Sequence, residues 1–229
     1  MKKTIWALFD NRMGSIGQAK GILQELADDF EIVEKKIVYT KLAALPNQLR
    51  GRHFLIGVDT KASDNLKTKD YPDIVLSISR RTAPIALWLK RRSKGKTKIV
   101  QLMLPGTYGL KDMDLVVVSE HDRNKAQGYN IFYITGCPHR VTPVTLDEAR
   151  KKWEPVFSNL PRPFTVVLVG GAIKGKPFSD ENATLLAESI AKVQQQFSGS
   201  ILITSSRRTG KSAEDIIMSK IKDIPAYTY

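Results

Sequence analysis

Short apolar runs rich in β-branched residues alternate with segments of helical spacing along most of the chain. The runs are TIWALFD (Thr4–Asp10), EIVEKKIVY (Glu31–Tyr39), HFLIGVD (His53–Asp59), DIVLSIS (Asp73–Ser79), KIVQLML (Lys98–Leu104), DLVVVSE (Asp114–Glu120) and NIFYITG (Asn130–Gly136). They are strand-length, largely apolar on both faces and bounded by turn residues, which is how buried parallel strands read. Between them, IGQAKGILQELADDF and TAPIALWLKRR have the spacing of amphipathic helices. Several later connections are too short for a crossover helix, so irregular loops are expected to cap part of the sheet.

LDEARKKWEPVF reads as a further helix, and SNLPRPF after it carries two prolines and turn-like residues. A domain boundary is expected there, near Ser158–Pro163. A second α/β unit then begins at TVVLVGG (Thr165–Gly171). It continues through a long helix with Ser179 as its N-cap, the strand SILITS, the helix AEDIIMSKIKD, and IPAYTY as a third strand. The expected fold class is α/β: a Rossmann-like parallel-sheet domain over residues 1–158, then the first part of a second such domain over 163–229. In such a unit the run Ile201–Thr204 is expected to leave an exposed sheet edge.

Composition narrows the function classes. One cysteine, Cys137, excludes an internal disulfide framework and multi-cysteine metal sites, and three scattered histidines argue against a metal centre. The apolar runs fall short of a membrane span. The opening MKKTIWALFDN reads as a strand and not a leader, so a cytoplasmic protein is expected. The net charge is +13. Its densest part is Arg80–Lys98, where eight Lys/Arg occur without an acid. A solvated basic helix end accounts for this, as does contact with an anionic membrane surface on its inner face. Nucleic acid is the weaker partner, since no helix-turn-helix, RRM signature or interleaved aromatics accompany the charge.

Two loops approach the phosphate-binding pattern of nucleoside triphosphatases and miss it. GGAIKGKP has Gly170, Gly175 and Lys176 but Pro177 where a magnesium-binding hydroxyl belongs. SSRRTGKS has Gly210, Lys211 and Ser212 but Ser205 for the first glycine. Both still fall at strand carboxyl ends, where open α/β sheets bind ligands. Gly170 and Gly171 permit close backbone approach there. Arg207 and Arg208 offer forked donors to a diphosphate, and helix starts at Ser179 and Ser212 add to the pull on anions. DNRMGSIGQAKG lacks the G-x-G-x-x-G dinucleotide fingerprint, but it places Asp10 at the end of the first strand, where a general base is useful. His121 and Asp122 at the end of another strand are the alternative acid–base pair. No nucleophile elbow is present.

D-x-R-x-G…GQ, SISRRTA, IVQLMLPG, DLVVVSEHD, NIFYITGCPHRV, VVLVGGAIKGKPF and ILITSSRRTG occur in this order. In that series the chain resembles the plant mitochondrial-fission "elongated mitochondria" family and its bacterial homologues. The resemblance implies a GT-B glycosyltransferase-like fold of two Rossmann-like domains, with a nucleotide-diphosphate sugar held mainly by the C-terminal one. It further implies that Gly170, Gly171, Ser206, Arg207, Arg208 and Thr209 hold the donor diphosphate without metal. No cofactor beyond that donor is expected. Arg80 and Arg81 would then lie near anionic groups of a cell-envelope acceptor, with Asp10, or His121 with Asp122, removing its hydroxyl proton. Family members continue past Tyr229, so an incomplete donor half is expected. The alternative is a non-catalytic scaffold peripheral to a membrane.

Overall fold

The computed structural model describes residues 2–173, 176–206 and 208–229. The chain divides into two units, Met1–Thr145 and Leu146–Tyr229.

In the first unit the apolar runs become parallel strands: β1 (Lys3–Phe9), β2 (Phe30–Lys36), β3 (Ile74–Ile78), β4 (Lys98–Leu102), β5 (Leu115–Ser119) and β6 (Ile131–Ile134). They form one sheet in the order β2-β1-β3-β4-β5-β6. Alternation along β1 sends Ile5, Ala7 and Phe9 to one face, against Ala19 and Leu23 of helix α1 (Met13–Leu26). Trp6 and Leu8 go to the other face, toward Ile85 and Leu89 of helix α3 (Ser79–Arg92).

α3 departs from the amphipathic expectation, because every residue from Thr82 to Leu89 is buried. It also carries Pro84, whose missing N–H frees the Arg80 carbonyl one turn back. That carbonyl accepts instead from Asn47 Nδ2 at 3.1 Å. Asn47 opens the short helix α2 (Asn47–Arg50), so α2 repairs the hydrogen bond that the proline removes.

His53–Asp59 does not form the expected strand; it is a turn with one bridge between Val58 and Tyr39. Two features bend it. Gly57 has φ +82° and lies against the Ala43 backbone, and the Ile56 carbonyl turns inward to accept from Arg50 Nε at 3.1 Å.

The second unit is built on β7 (Phe164–Leu168), β8 (Ser200–Thr204) and β9 (Ala226–Thr228), all parallel, in the order β7-β8-β9. IPAYTY thus supplies the third strand. β8 is paired on both sides, so the exposed edge expected at Ile201–Thr204 is not there; β7 and β9 are the edges. Helices α5 (Asp180–Phe197) and α6 (Lys211–Lys220) cover one face through Ala183, Ala187, Ile190 and Ile217. Ser179 caps α5, its Oγ accepting from the Asn182 N–H at 3.2 Å. Helix α4 (Pro143–Phe157) brings Trp153 and Phe157 onto Phe164, Tyr227 and Tyr229. This aromatic packing sets all but the first turn of α4 in the second unit, so the division falls before the helix and not at the prolines after it.

Candidate functional site

β1 is flanked by β2 on one side and β3 on the other, so chain order reverses at the carboxyl ends of β1 and β3. Open α/β sheets bind ligands at such a switch point. Asp10 follows β1 and is 7% exposed. Its Oδ1 accepts the Arg12 N–H at 3.0 Å, while its Oδ2 is buried with no hydrogen-bond partner. Its ion pair with Arg12 is long, at 3.8 Å.

At the end of β3, Ser79 turns the chain with φ 79°, a left-handed conformation costly for a residue with a side chain. Thr82 braces the turn: its Oγ1 accepts the Ile78 N–H at 2.9 Å and donates to the Ile78 carbonyl at 2.6 Å. Ser77 Oγ, 2.9 Å from Thr82 Oγ1 and 2.7 Å from Gln101 Oε1, ties it to β4. The held turn separates the two arginines read from the sequence. Arg80 is used inside the fold, donating to the carbonyls of Leu45 (2.8 Å) and Ala43 (3.2 Å). Arg81 instead lines a 210 Å³ cavity with Asp10, Asn11, Lys36 and Tyr39.

Two further residues belong to this cluster. Arg50, 1% exposed, donates Nε to Ile56 and Nη1 to the Arg81 carbonyl at 3.0 Å, leaving Nη2 buried and unpartnered. The Tyr39 hydroxyl and Arg81 Nε are likewise buried without partners. The guanidinium carbons of Arg50 and Arg81 lie 5.8 and 5.6 Å from the Tyr39 ring centre. Neither Tyr39 nor Arg50 carries a signal in the sequence: NQLR has no motif, and only the fold buries it.

Burial pushes the Tyr39 phenol well above its ordinary value of 10.0, and the Asp10 charge adds to this against the lowering effect of Arg50 and Arg81. A phenol raised in the fold contributes stability that is complete below pH 10 and is lost as pH rises beyond it. Tyr39→Phe is therefore expected to flatten the fall in stability between pH 10 and pH 11.5, as measured by urea melts across that range. An equally steep fall in the variant would contradict it.

His121 and Asp122 are not brought to this cluster. They lie after β5, which β3 and β4 separate from β1, in an exposed turn over Glu120–Lys125. His121 is largely exposed, and its Nε2 is 3.8 Å from Asp122. Asp122 is held below the usual carboxylate range by its hydrogen bond to Lys125.

In the second unit the two strand-end loops are latched together. Thr209 Oγ1 donates to the Gly170 carbonyl (2.7 Å) and accepts the Ser206 N–H (3.0 Å). The Ala172 N–H donates to the Arg208 carbonyl at 2.8 Å. The backbone approach that Gly171 permits is to the second loop, for a Cβ there would collide with the Arg208 carbonyl. Gly170, by contrast, faces open space. Thus Gly170, Gly171, Ser206, Arg208 and Thr209 converge; Arg207 and Gly175 lie outside the described residues. α6 starts at Gly210 with no side-chain cap, which leaves first-turn N–H groups available to an anion. Ser212 Oγ donates to Asp180 at 2.9 Å, placing the starts of α5 and α6 side by side.

Among the described residues no group of acidic, histidine or cysteine side chains could hold a metal, and no helix is long and apolar enough to cross a membrane.

Comparison with known proteins identifies a family for the chain. The family profile described as "Mitochondrial fission ELM1" matches residues 13–229. An uncharacterized protein of Rickettsia prowazekii is 25% identical over 244 aligned positions, spanning 93% of this chain and 67% of its own length. "Mitochondrial fission protein ELM1" of Arabidopsis thaliana is 25% identical over 213 positions, spanning 80% of this chain. The match covers 49%, about half, of the Arabidopsis protein. Among solved structures, UDP-GlcNAc 2-epimerase from Methanocaldococcus jannaschii superposes with a TM-score of 0.55 at 11% identity, over 99% of this chain and 72% of that one. At that identity the likeness shows fold alone: two Rossmann-like units of the GT-B kind, as the sequence motifs imply.

Proposed function

The chain belongs to the mitochondrial fission ELM1 family, and from that premise we propose that it transfers a sugar from a nucleoside-diphosphate donor to a cell-envelope acceptor. The observation that carries this reading is Asp10, a buried carboxylate with one unpartnered oxygen at the switch point of the first unit. In the step proposed, the acceptor oxygen attacks the anomeric carbon, its proton passes to Asp10 Oδ2, and the bond to the diphosphate breaks. The nucleoside diphosphate leaves with the electron pair. The second unit, taken by itself, has the chemistry of a diphosphate site: the latched loops, Arg208 and the uncapped start of α6 offer donors suited to such a group.

A non-catalytic membrane scaffold is the second reading, drawn from the Arabidopsis relative's name and the basic stretch Arg80–Lys98. Much of that stretch is engaged within the fold. Arg80 holds two carbonyls, Lys90 and Lys98 pair with Asp114, and Arg92 lies over Trp88. Among the described residues Lys94 and Lys96 form no ion pair.

Thermal shift with UDP, GDP, ADP, CMP and UDP-N-acetylglucosamine separates the readings. One nucleotide and its sugar are expected to stabilise the protein, by about 2.7 kcal/mol at 100 times the dissociation constant. Arg208→Ala is expected to lose most of that shift. No response to any of the five would favour the scaffold.

A further inference from the structure

We infer that the cavity beneath Tyr39 is a binding site for a phosphate ester that also carries a free hydroxyl, in size no larger than a single sugar phosphate. The inference rests on the proposed function only in identifying this ligand with the acceptor; the site itself is argued from its own atoms.

Three polar atoms of residues lining the cavity are buried without partners, Asp10 Oδ2, Tyr39 Oη and Arg81 Nε, and a fourth, Arg50 Nη2, lies behind Tyr39 outside the lining. Burying such groups unsatisfied is costly, and native folds rarely do it at one place without reason. The four do not cancel one another, since Asp10 makes no ion pair with Arg50 or Arg81; its long contact is with Arg12. Asp10 and Arg50 are themselves more than nine-tenths buried, so these are not surface side chains that solvent could serve.

The charges facing the cavity select the ligand. Lys36 and Arg81 line it, Arg50 packs behind Tyr39, and Arg12 flanks Asp10, against the single carboxylate of Asp10. An anion is favoured and a metal cation is not. The unpartnered donors that line the cavity come from two directions, the segment after β2 (Tyr39) and α3 (Arg81). A tetrahedral phosphate can accept from several directions at once, and guanidinium N–H groups bind it strongly. The remaining atom, Asp10 Oδ2, is an acceptor and calls for a donor on the same ligand, which a hydroxyl supplies. The volume of 210 Å³ lies below the ~300–1,000 Å³ of pockets that enclose drug-sized ligands. It admits one small phosphorylated unit and excludes a whole nucleotide.

Isothermal titration of the full chain with glucose 6-phosphate, inorganic phosphate and glucose tests this. Glucose 6-phosphate is expected to bind best, phosphate more weakly, and glucose not at all. Arg81→Met keeps the side-chain bulk and removes the donor. It is expected to weaken glucose 6-phosphate by about 10- to 100-fold, and Tyr39→Phe by a smaller factor. Arg50→Met is the poorer test, because Arg50 also holds the Ile56 and Arg81 carbonyls. Vesicles of phosphatidylglycerol distinguish the ligand's source. Pelleting that excess glucose 6-phosphate reverses would point to a lipid headgroup, and a protein that stays in the supernatant to a free phosphate ester. Failure of wild type to bind any phosphate ester, or equal binding by Arg81→Met, would overturn the inference. Arg208→Ala separates it from the donor reading, since that variant should bind glucose 6-phosphate normally. Phosphate-ester binding with no nucleotide response would sink transfer and leave this site standing.

Discussion

Asp10→Asn is expected to cut glycosyl transfer by about 10²–10⁴-fold with at most a modest loss of stability. The rate would be read as nucleoside diphosphate released from whichever nucleotide sugar stabilises the protein, with a bacterial lipid extract as acceptor. Asparagine keeps the shape of the side chain, and its amide oxygen can still accept the Arg12 N–H that Oδ1 takes now. What it loses is the charge and basicity of Oδ2, buried and unpartnered. Asp10 is also the one carboxylate beside Lys36, Arg81 and Arg12, so its loss should lower the melting temperature modestly while the rate falls far more. A loss of rate much larger than the loss of stability is what a merely structural carboxylate would not produce. His121→Ala and Asp122→Ala are expected to stay within a few-fold of wild type, since both residues sit on an exposed turn after β5, three strands along the sheet from β1. If one of them abolished transfer and Asp10→Asn did not, the proton acceptor would be that pair.

The strands of both units are legible in the sequence because continuous apolar runs and period-two alternation decide them locally. TIWALFD needs no knowledge of its neighbours to read as β1. HFLIGVD has the same local character and is misread, because its shape is decided by a glycine at φ +82° and by a carbonyl drawn toward Arg50. The domain boundary misleads similarly. Prolines mark where the chain turns, but Trp153 and Phe157 decide where α4 belongs by packing edge-on against aromatic rings up to 76 positions later. The site divides along the same line. Asp10 and Arg81 are visible as polar residues at strand ends. Tyr39 and Arg50 are not, since nothing in VYT or NQLR signals that tertiary packing will bury a phenol and a guanidinium together. Arg80 and Arg81, adjacent and alike in sequence, receive different tasks because the Ser79 turn sends them to different surroundings.

The second large effect is expected at Gly171, and its contrast with Gly170 gives it meaning. A methyl group at position 171 would enter the space of the Arg208 carbonyl and come within 2.5 Å of the Thr209 nitrogen. Those are backbone atoms and cannot swing aside as a side-chain tip would, so the loops must separate. Separation breaks the Ala172 N–H bond to Arg208 and pulls the Thr209 hydroxyl from the Gly170 carbonyl, both at 2.7–2.8 Å in the intact latch. Overpacking of this kind costs about 1–3 kcal/mol or more, and the second unit should melt lower by roughly 10 °C for a unit of this size. Gly171→Ala is then expected to lose nucleotide binding as a consequence of the opened latch. Gly170→Ala meets nothing within 4 Å and should melt as wild type does. Any loss of nucleotide binding in Gly170→Ala therefore measures ligand approach alone. Calorimetry of the two variants beside Thr209→Val, which removes the latch hydroxyl without a clash, tests the assignment. Destabilisation by Gly171→Ala and Thr209→Val together, with Gly170→Ala spared, is the pattern the latch requires. A wild-type melting temperature for Gly171→Ala would mean that the loops are not held together as described, and the case for a preformed diphosphate site would fall with them.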